Sequence, residues 1–301
     1  MKKWPTILPS RQTNSENWFG VDHTPATHQD VVKVGCSCFH LKSKGFLQAN
    51  LVILPQKYAE EFEKFCKLNH APCPVLEKLE PGQVKPQKLV LPENDCDIRT
   101  DIPKYRVYQN GQLKEEVTDI SPYWRDDLVI FLVGCSFSFE RALQQHGIEI
   151  RNITEKKNVS MYNTNINCKV DPSFKYLKSI PMVVSMRPVK SDQVGMATEI
   201  TEQFAETHGG PVHCGDPSVI GIENIHKVDY GDAVTIHEGE IPCFWACKFL
   251  TLDLLSDEIG GVTSSIAALS IKDDICITHS PGHMFISDVR EPNVSLNKSF
   301  Q

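Results

Sequence analysis

An unbroken apolar segment followed directly by a turn constrains the fold of this chain more than any other feature. Leu128-Val-Ile-Phe-Leu-Val133 contains no polar residue, which is typical of a strand buried on both faces of a sheet. Gly134-Cys-Ser-Phe-Ser-Phe-Glu140 follows it, and residues 139–146 have helical character and end at Gly147. The segment predicts a strand, a tight turn and a helix, an arrangement that displays polar atoms above a rigid base.

The turn resembles the start of a nucleophile elbow, whose motif is Gly-x-Ser-x-Gly. Gly134, Cys135 and Ser136 match its first half, but Ser138 stands where the motif has its second glycine. Cys135 is a candidate nucleophile because the start of a helix favours a thiolate. A buried, inert thiol is the alternative interpretation.

The composition indicates a globular protein with an acidic surface. The 301 residues are enough for one large domain or for two lobes, and the apolar fraction of 41% is ordinary. A net charge of -7 argues against nucleic acid or an anionic membrane as the main partner. No apolar segment approaches the roughly 20 residues that a membrane span requires. The 11 cysteines are odd in number and irregularly spaced, which favours reduced thiols over a disulfide framework.

The first part of the chain differs from the rest. Residues 1–44 show little periodicity and are predicted to be an N-terminal extension. Residues 1–15 lack acidic side chains and weakly resemble an organelle transit segment, although Pro5 and Pro9 interrupt any helix there. We expect a cytoplasmic protein, with the mitochondrial matrix as the alternative.

The remaining elements predict an α+β protein with a mixed β-sheet core and flanking helices, possibly in two lobes. Strands and helices alternate irregularly, and Asn110-Gly111 predicts a hairpin because this pair supports the positive φ angles of a type I′ turn. A doubly wound fold is less consistent with that pattern. Strands are predicted at 49–54, 104–108, 112–117, 148–153, 180–186, 233–236 and 275–277, helices at 58–69 and 192–207, and a loop at 158–166.

Several apolar strands end in short polar turns, and turns of this kind often converge on one edge of a sheet. Arg187 follows one such strand and precedes Pro188, so it is a candidate for binding a carboxylate through two hydrogen bonds, with a structural ion pair as the alternative. Asp216 lies between Gly215 and Pro217, where it is either displayed for chemistry or is an Asx-turn residue.

Histidines provide the acid–base chemistry that the sequence predicts. His279 and His283 flank a Ser-Pro-Gly turn, and an imidazole titrates near neutral pH. A metal site that combines these two with His213 and Cys214 is a weaker alternative. No Gly-x-x-x-x-Gly-Lys or Gly-x-Gly-x-x-Gly motif occurs, so the sequence gives no support for a nucleotide.

Eight motifs, in order between residues 45 and 290, resemble the hydro-lyase family that includes D-glutamate cyclase. They are Gln48-Ala-Asn-Leu-Val-Ile-Leu-Pro55, Asp97-Ile-Arg-Thr-Asp-Ile-Pro-Lys-Tyr-Arg106, Gly134-Cys-Ser-Phe-Ser-Phe-Glu140, Met161-Tyr-Asn-Thr-Asn-Ile166, Met182-Val-Val-Ser-Met-Arg-Pro188, His213-Cys-Gly-Asp-Pro217, Phe244-Trp-Ala-Cys247 and Thr278-His-Ser-Pro-Gly-His-Met-Phe285. The resemblance implies a single-module domain at residues 45–291 and a C-terminal tail at 292–301.

The resemblance also implies an activity, the conversion of D-glutamate to 5-oxo-D-proline with loss of water. No cofactor and no metal are expected, the partner is a small-molecule carboxylate, and a homo-oligomer is left open. The alternatives are a hydro-lyase for another small carboxylic or amino acid and a carboxylate-binding module without activity. Acid–base roles are expected for His279, His283 and Asp216, and substrate contacts for Arg187, Arg99, Cys135, Ser136, Ser138, Asn163, Asn165 and His213.

Overall fold

A computed structural model describes residues 45–177, 179, 181–247, 274–280, 283–292, 294 and 296. It contains two antiparallel β-sheets with helices packed against them, so the predicted α+β class is confirmed. The predicted extension at residues 1–44 lies outside the described residues, and so do residues 248–273.

The elements are numbered here in chain order. The strands are β1 Phe46–Pro55, β2 Val75–Leu79, β3 Tyr105–Gln109, β4 Gln112–Val117, β5 Leu128–Gly134, β6 Ser160–Asn167, β7 Pro181–Lys190, β8 His213–Cys214, β9 Glu240–Cys247, β10 Ile275–His279 and β11 Phe285–Arg290. The helices are α1 Gln56–Leu68, α2 Phe137–Gln145, α3 Arg151–Thr154 and α4 Val194–Glu202. Short 3-10 turns lie at Ser121–Tyr123, Ser191–Gln193, Ala205–Thr207 and Pro217–Ile220.

The first sheet has seven strands in the order β2-β5-β1-β10-β3-β4, with β11 also paired to β1. Strand β5 is buried along its whole length, as its sequence predicts, because β1 and β2 flank it and apolar side chains cover both faces. The helix predicted at residues 58–69 is α1, and its Phe62 packs edge-to-face on Phe131 of β5. The predicted hairpin is confirmed, with φ of 54° at Asn110 and 80° at Gly111.

Strand β1 changes its partner on one side near Asn50. Its first half pairs with β11, where Ala49 faces Phe285, and its second half pairs with β10, where Val52 faces Thr278. On the other side β1 pairs with β5 without interruption. The end of β10 therefore meets β1 close to the end of β5, and the polar residues that follow both strands are brought to one end of the sheet.

The second sheet has the order β6-β7-β9-β8 and presents two different faces. One face carries Arg187 of β7 and Trp245 of β9, and helices α2 and α4 pack against it; we call this the Arg187 face. The opposite face carries Phe244, and Ile220 from the turn after β8 packs there. Side chains alternate between the two faces along each strand, so neighbouring residues of β9 serve different layers.

Helix α2 connects the two sheets. It follows β5 of the first sheet after a short turn, and its Phe139 and Leu143 pack with Trp245 of the second. The hydroxyl of Ser138 in its first turn accepts a hydrogen bond from the backbone N–H of Gln48 on β1, at 3.2 Å. The end of β5 is thereby fixed against the Arg187 face.

Several local predictions are wrong. Residues 158–166 were predicted to be a loop, but β6 occupies most of this segment because its backbone pairs with β7 although its amide-rich side chains show no periodicity. Residues 148–153 contain the start of α3 rather than a strand, and 233–236 form no strand. Strand β7 does not end at Arg187 but continues to Lys190, because Pro188 faces Pro242 and neither residue has an N–H to leave unpaired. Every ladder between the described strands is antiparallel, so neither sheet has a parallel pair among these strands.

Gly134 tests how tightly the end of β5 is packed. A Cβ atom added there would lie 2.4 Å from the carbonyl oxygen of Glu206, so Gly134→Ala forces the backbone to move. We expect it to lower the free energy of unfolding by about 1–3 kcal/mol in urea denaturation.

The matched control for this prediction is Gly210→Ala. Its added Cβ would meet the Cγ atom of Glu202 at 2.9 Å, and that side chain is flexible. We expect little change in stability for the control. Equal stabilities of the two variants would show that the end of β5 tolerates a side chain.

Candidate active site

The turn between β5 and α2, residues 134–138, is held by backbone hydrogen bonds within itself and to the segment before β2. The N–H of Gly134 donates to the carbonyl of Pro74 at 2.8 Å, and the N–H of Ser138 donates to the carbonyl of Cys135 at 3.1 Å. Ser136 and Ser138 are both buried. Because no side chain could fit between Gly134 and Glu206, the sequence requires glycine where the strand becomes a turn.

An amide on β1 joins this turn to His279. The Nδ2 of Asn50 donates to the carbonyl of Gly134 at 3.2 Å, and its Oδ1 lies 3.0 Å from Nε2 of His279. The other ring nitrogen, Nδ1, lies 2.8 Å from the carbonyl oxygen of Ser280. The same carbonyl accepts the backbone N–H of His283 at 3.0 Å, so the turn after β10 holds both predicted histidines.

A group of charged residues on β3, on β4 and at the position just before β3 adjoins Ser280. Its hydroxyl lies 3.2 Å from Oε1 of Glu116, which also accepts from Nε of Arg106 at 2.8 Å and is paired with Lys104. Burial opposes ionisation of Glu116, but hydrogen bonds from Lys104 and Arg106 prevail and lower its pKa to about 2. Two cations and one carboxylate therefore lie next to the histidine turn.

Arg187 is buried in an ion pair with Glu140 of α2. Its Nη2 and Nε donate to Oε1 of Glu140 at 2.5 and 3.1 Å, and its Nη1 donates to the hydroxyl of Ser185 at 3.0 Å. The guanidinium packs against the rings of Phe139 and Trp245, with its central carbon 5.1 and 5.6 Å from their centroids. Each of its nitrogens is bound by the protein, as in the structural ion pair that was the alternative interpretation.

The thiol of Cys135 lies among Cys247, Glu140 and Arg187. Burial raises the pKa of Cys135 to about 12, although the N–H of Phe137 acts in the opposite direction, and burial raises the pKa of Cys247 to about 11. Both side chains are therefore thiols at neutral pH. This environment favours the inert interpretation of Cys135 over the nucleophilic one.

Three predicted residues lie on the opposite face of the second sheet. His213 stacks on Phe244 and its Nε2 donates to the carbonyl of Asp216 at 2.8 Å. The carboxylate of Asp216 is exposed and accepts the N–H of Ser218 at 2.9 Å, which lowers its pKa. Asn165 contacts the same turn. The structure thus brings His213, Asp216 and Asn165 together, but apart from Arg187 and Cys135, and it gives Asp216 the contacts of an Asx-turn residue.

The two remaining predicted residues lie elsewhere. Arg99 pairs with both carboxylate oxygens of Asp97 in the loop before β3 and lies over Trp124, and none of its described contacts is with the 134–138 turn. The amide of Asn163 pairs with the hydroxyl of Tyr230 at 3.2 Å. On β6, Met161 pairs with Ser185 of β7, and Asn163 lies two residues after Met161. Asn163 is therefore on the same face of the second sheet as Ser185.

Sequence reasoning missed three residues that build this site. Asn50 interrupts an apolar strand, and Glu140 places a carboxylate in the buried first turn of a helix; each is a polar group that must find a partner inside the protein. Ser185 precedes Arg187 by two residues on the same face of β7. A search for polar residues within apolar segments would have found all three, but not their partners.

Among the residues that the structure describes, no group of three or more His, Cys, Asp or Glu side chains is arranged to hold a metal ion. In the same part of the chain, no helix has the length and the apolar character required to cross a membrane.

Removal of one partner of the buried Glu140–Arg187 pair is expected to destabilise this region. Glu140→Ala leaves a buried guanidinium without its counter-charge, so we expect a loss of about 3–5 kcal/mol in the free energy of unfolding. Glu140→Ala combined with Arg187→Met removes that buried charge and is expected to recover part of the loss. As a control, Glu149→Ala removes a half-exposed partner of Arg151 and should cost no more than about 1 kcal/mol. A Glu140→Ala variant as stable as this control would contradict the prediction.

The thiol of Cys135 should react slowly with iodoacetamide in the folded protein. Cys214 is an internal control, because it is partly exposed and a hydrogen bond with Cys243 lowers its pKa. We expect alkylation of Cys135 to be at least about a hundredfold slower than that of Cys214, as followed by peptide mass spectrometry. Comparable rates in the folded protein would restore Cys135 as a candidate nucleophile.

Comparisons with known proteins identify the family. The family model described as D-glutamate cyclase matches residues 129–288. A protein from Bacillus licheniformis, named a "Putative hydro-lyase", is 51% identical over 247 residues, which cover 82% of this chain and 87% of the relative. "Putative hydro-lyase YcsI" from Bacillus subtilis is 48% identical and covers 84% of this chain and 91% of the relative. A relative of the same kind from Stutzerimonas stutzeri is 43% identical over 84% of this chain and 88% of its own length. The chain therefore belongs to the D-glutamate cyclase family of hydro-lyases.

Proposed function

We propose that this hydro-lyase converts D-glutamate to 5-oxo-D-proline with loss of water. The observation that carries the proposal, beyond the family, is the connection of His279 through Asn50 to the 134–138 turn. It places an imidazole, the side chain best suited to proton transfer at neutral pH, beside a turn that is rigidly held at the end of a sheet.

The reaction requires no nucleophile from the enzyme. The α-amine of glutamate attacks its own γ-carboxyl carbon, so the protein must only orient the substrate, accept a proton from the ammonium group and supply one to the departing oxygen. The raised pKa of the Cys135 thiol agrees with this requirement, because a thiol is not a nucleophile. We assign proton transfer to His279 and its neighbour in the turn, His283.

The substrate carries a second carboxylate that requires a cation. Arg187 would have to release Glu140 or Ser185 to bind it, and both contacts are buried. Lys104 and Arg106 are partly exposed, with 40% and 19% of their side-chain surfaces accessible, and they reach Ser280 through Glu116. We therefore assign recognition of the α-carboxylate to Lys104 and Arg106, and a structural role to Arg187.

Product analysis tests the proposed function. The purified protein is incubated separately with D- and L-glutamate, and 5-oxoproline is measured by chiral chromatography. We expect product from the D-isomer and a loss of at least about a hundredfold in kcat for His279→Gln, because general acid–base catalysis contributes on that scale. His213→Gln is the matched control, since His213 lies on the opposite face of the second sheet, and should retain activity.

Other outcomes of this assay separate the alternatives. Loss of water from another small amino or hydroxy acid, without turnover of glutamate, would indicate a different substrate. A thermal shift with D-glutamate but no product would favour a binding module. Full activity of His279→Gln would remove His279 from the reaction.

A further inference from the structure

We propose that Asn50 is a positioning residue that holds His279 as an imidazolium, and that this charged ring is the proton donor of the reaction. The role as donor rests on the proposed function, whereas the charge of the ring does not. Asn50 belongs to β1, where apolar residues flank it on both sides, so it is a buried polar residue within an apolar strand.

One ring nitrogen must carry a proton because of its backbone partner. The Nδ1 of His279 lies 2.8 Å from the carbonyl oxygen of Ser280. A carbonyl oxygen only accepts hydrogen bonds, and an unprotonated nitrogen at this distance would place two lone pairs against each other. The contact therefore requires Nδ1–H.

The second ring nitrogen must carry a proton because of the orientation of the Asn50 amide. The amide lies 3.2 Å from the carbonyl of Gly134, another group that only accepts, so the NH2 end of Asn50 must point there. Its Oδ1 is thus turned to His279, 3.0 Å from Nε2. The reversed amide would place Oδ1 against the Gly134 oxygen. Nε2 must therefore donate as well, and a ring with two N–H groups is an imidazolium.

The surroundings compensate for burial of this charge. His279 is 8% and Asn50 7% exposed, so the ring has little access to water. Two oxygen acceptors replace the water on its N–H groups, and hydrogen bonds from a charged donor are stronger than neutral ones. Glu116, which reaches Ser280 at 3.2 Å, and its partners Lys104 and Arg106 carry a net charge of +1, so the two hydrogen bonds and not this group favour the charge of the ring.

The fold explains why a residue on β1 can do this. Asn50 lies where β1 changes its partner from β11 to β10, with β5 on its other side. Its side chain therefore reaches the last residues of two different strands, Gly134 of β5 and His279 of β10. An apolar side chain of similar size would fit the strand but would remove the hydrogen bonds that Asn50 makes with both groups.

A charged ring at this position balances the proposed reaction. The Nε2–H group of the imidazolium leaves the oxygen of Asn50 and gives its proton to an oxygen of the γ-carboxylate, the amine nitrogen forms its bond to the γ-carbon, and the C–O bond to the protonated oxygen breaks. The ammonium group of the substrate loses two protons. One leaves with the departing oxygen, which is released as water, and the other returns to the ring. The histidine ends the cycle in its starting form.

Nitrogen NMR of substrate-free protein tests the charge directly. The full chain is labelled with 15N-histidine, and the His279 signals are assigned from their absence in His279→Gln. We expect both ring nitrogens to be protonated at pH 7 in the wild type. In Asn50→Leu, Nε2 should lose its proton, whereas Asn50→Asp should keep it because a carboxylate oxygen accepts the same hydrogen bond.

Kinetics test the second half of the proposal. We expect Asn50→Leu to lower kcat by at least about a hundredfold with little change in KM, because general acid catalysis contributes on that scale. Asn50→Asp should retain more activity than Asn50→Leu. A purely structural role would lower both variants alike and would leave the ring protonation unchanged.

The outcomes distinguish this inference from the proposed function. A neutral His279 ring in the wild type overturns the inference, whatever the substrate proves to be, and so does an unchanged charged ring in a folded Asn50→Leu variant. If Asn50→Leu does not fold, the wild-type and Asn50→Asp spectra still decide the charge. A charged ring that depends on Asn50, without turnover of D-glutamate, supports the positioning role and contradicts only the substrate.

Discussion

The buried ion pair between Glu140 and Arg187 is the contact on which the arrangement of the site depends. Glu140 belongs to the helix that follows β5 of the first sheet, and Arg187 to an inner strand of the second. A buried ion pair contributes less to stability than its charges suggest, because both ions lose water, but breaking one is costly. The pair therefore acts mainly by specifying how α2 is placed against the second sheet, and with α2 the turn at residues 134–138.

That placement leaves the polar groups of the site on two supports. The end of the first sheet contributes Asn50, His279 and the charged group around Glu116, while the Arg187 face contributes Ser185 and Cys247. The turn at residues 134–138 contacts both. Because Gly134 packs against Glu206 and Ser138 binds Gln48, the turn has little freedom to move independently of either support. Rigid support of this kind is what precise orientation of a substrate requires.

The sequence predicts the elements of this protein that depend on a local pattern. It does not predict the elements that depend on pairing between distant segments of the chain. Strand β5, helix α1 and the Asn110-Gly111 hairpin follow from apolar periods and turn chemistry. Strand β6 does not, because its pairing with β7 is decided by backbone contacts that its amides do not reveal. For the site, the turns that end apolar strands were found, but the face of each residue was not. From the sequence, His213 and Asp216 are candidates of the same kind as His279. The register between β8 and β9 pairs His213 with Phe244, which places His213 and Asp216 on the opposite face of the second sheet.

The partners of Arg187 and His279 explain why two buried cations serve different purposes. Arginine does not lose its proton in proteins, and a carboxylate and a hydroxyl hold the guanidinium of Arg187, so its charge is permanent and suits structure. The charge of a histidine depends on what surrounds it. The side-chain oxygen of Asn50 and the backbone oxygen of Ser280 lie within hydrogen-bond distance of the two ring nitrogens of His279, and both favour a proton on the ring. In the mechanism that we propose, the ring of His279 is charged before the reaction and gives a proton up during it.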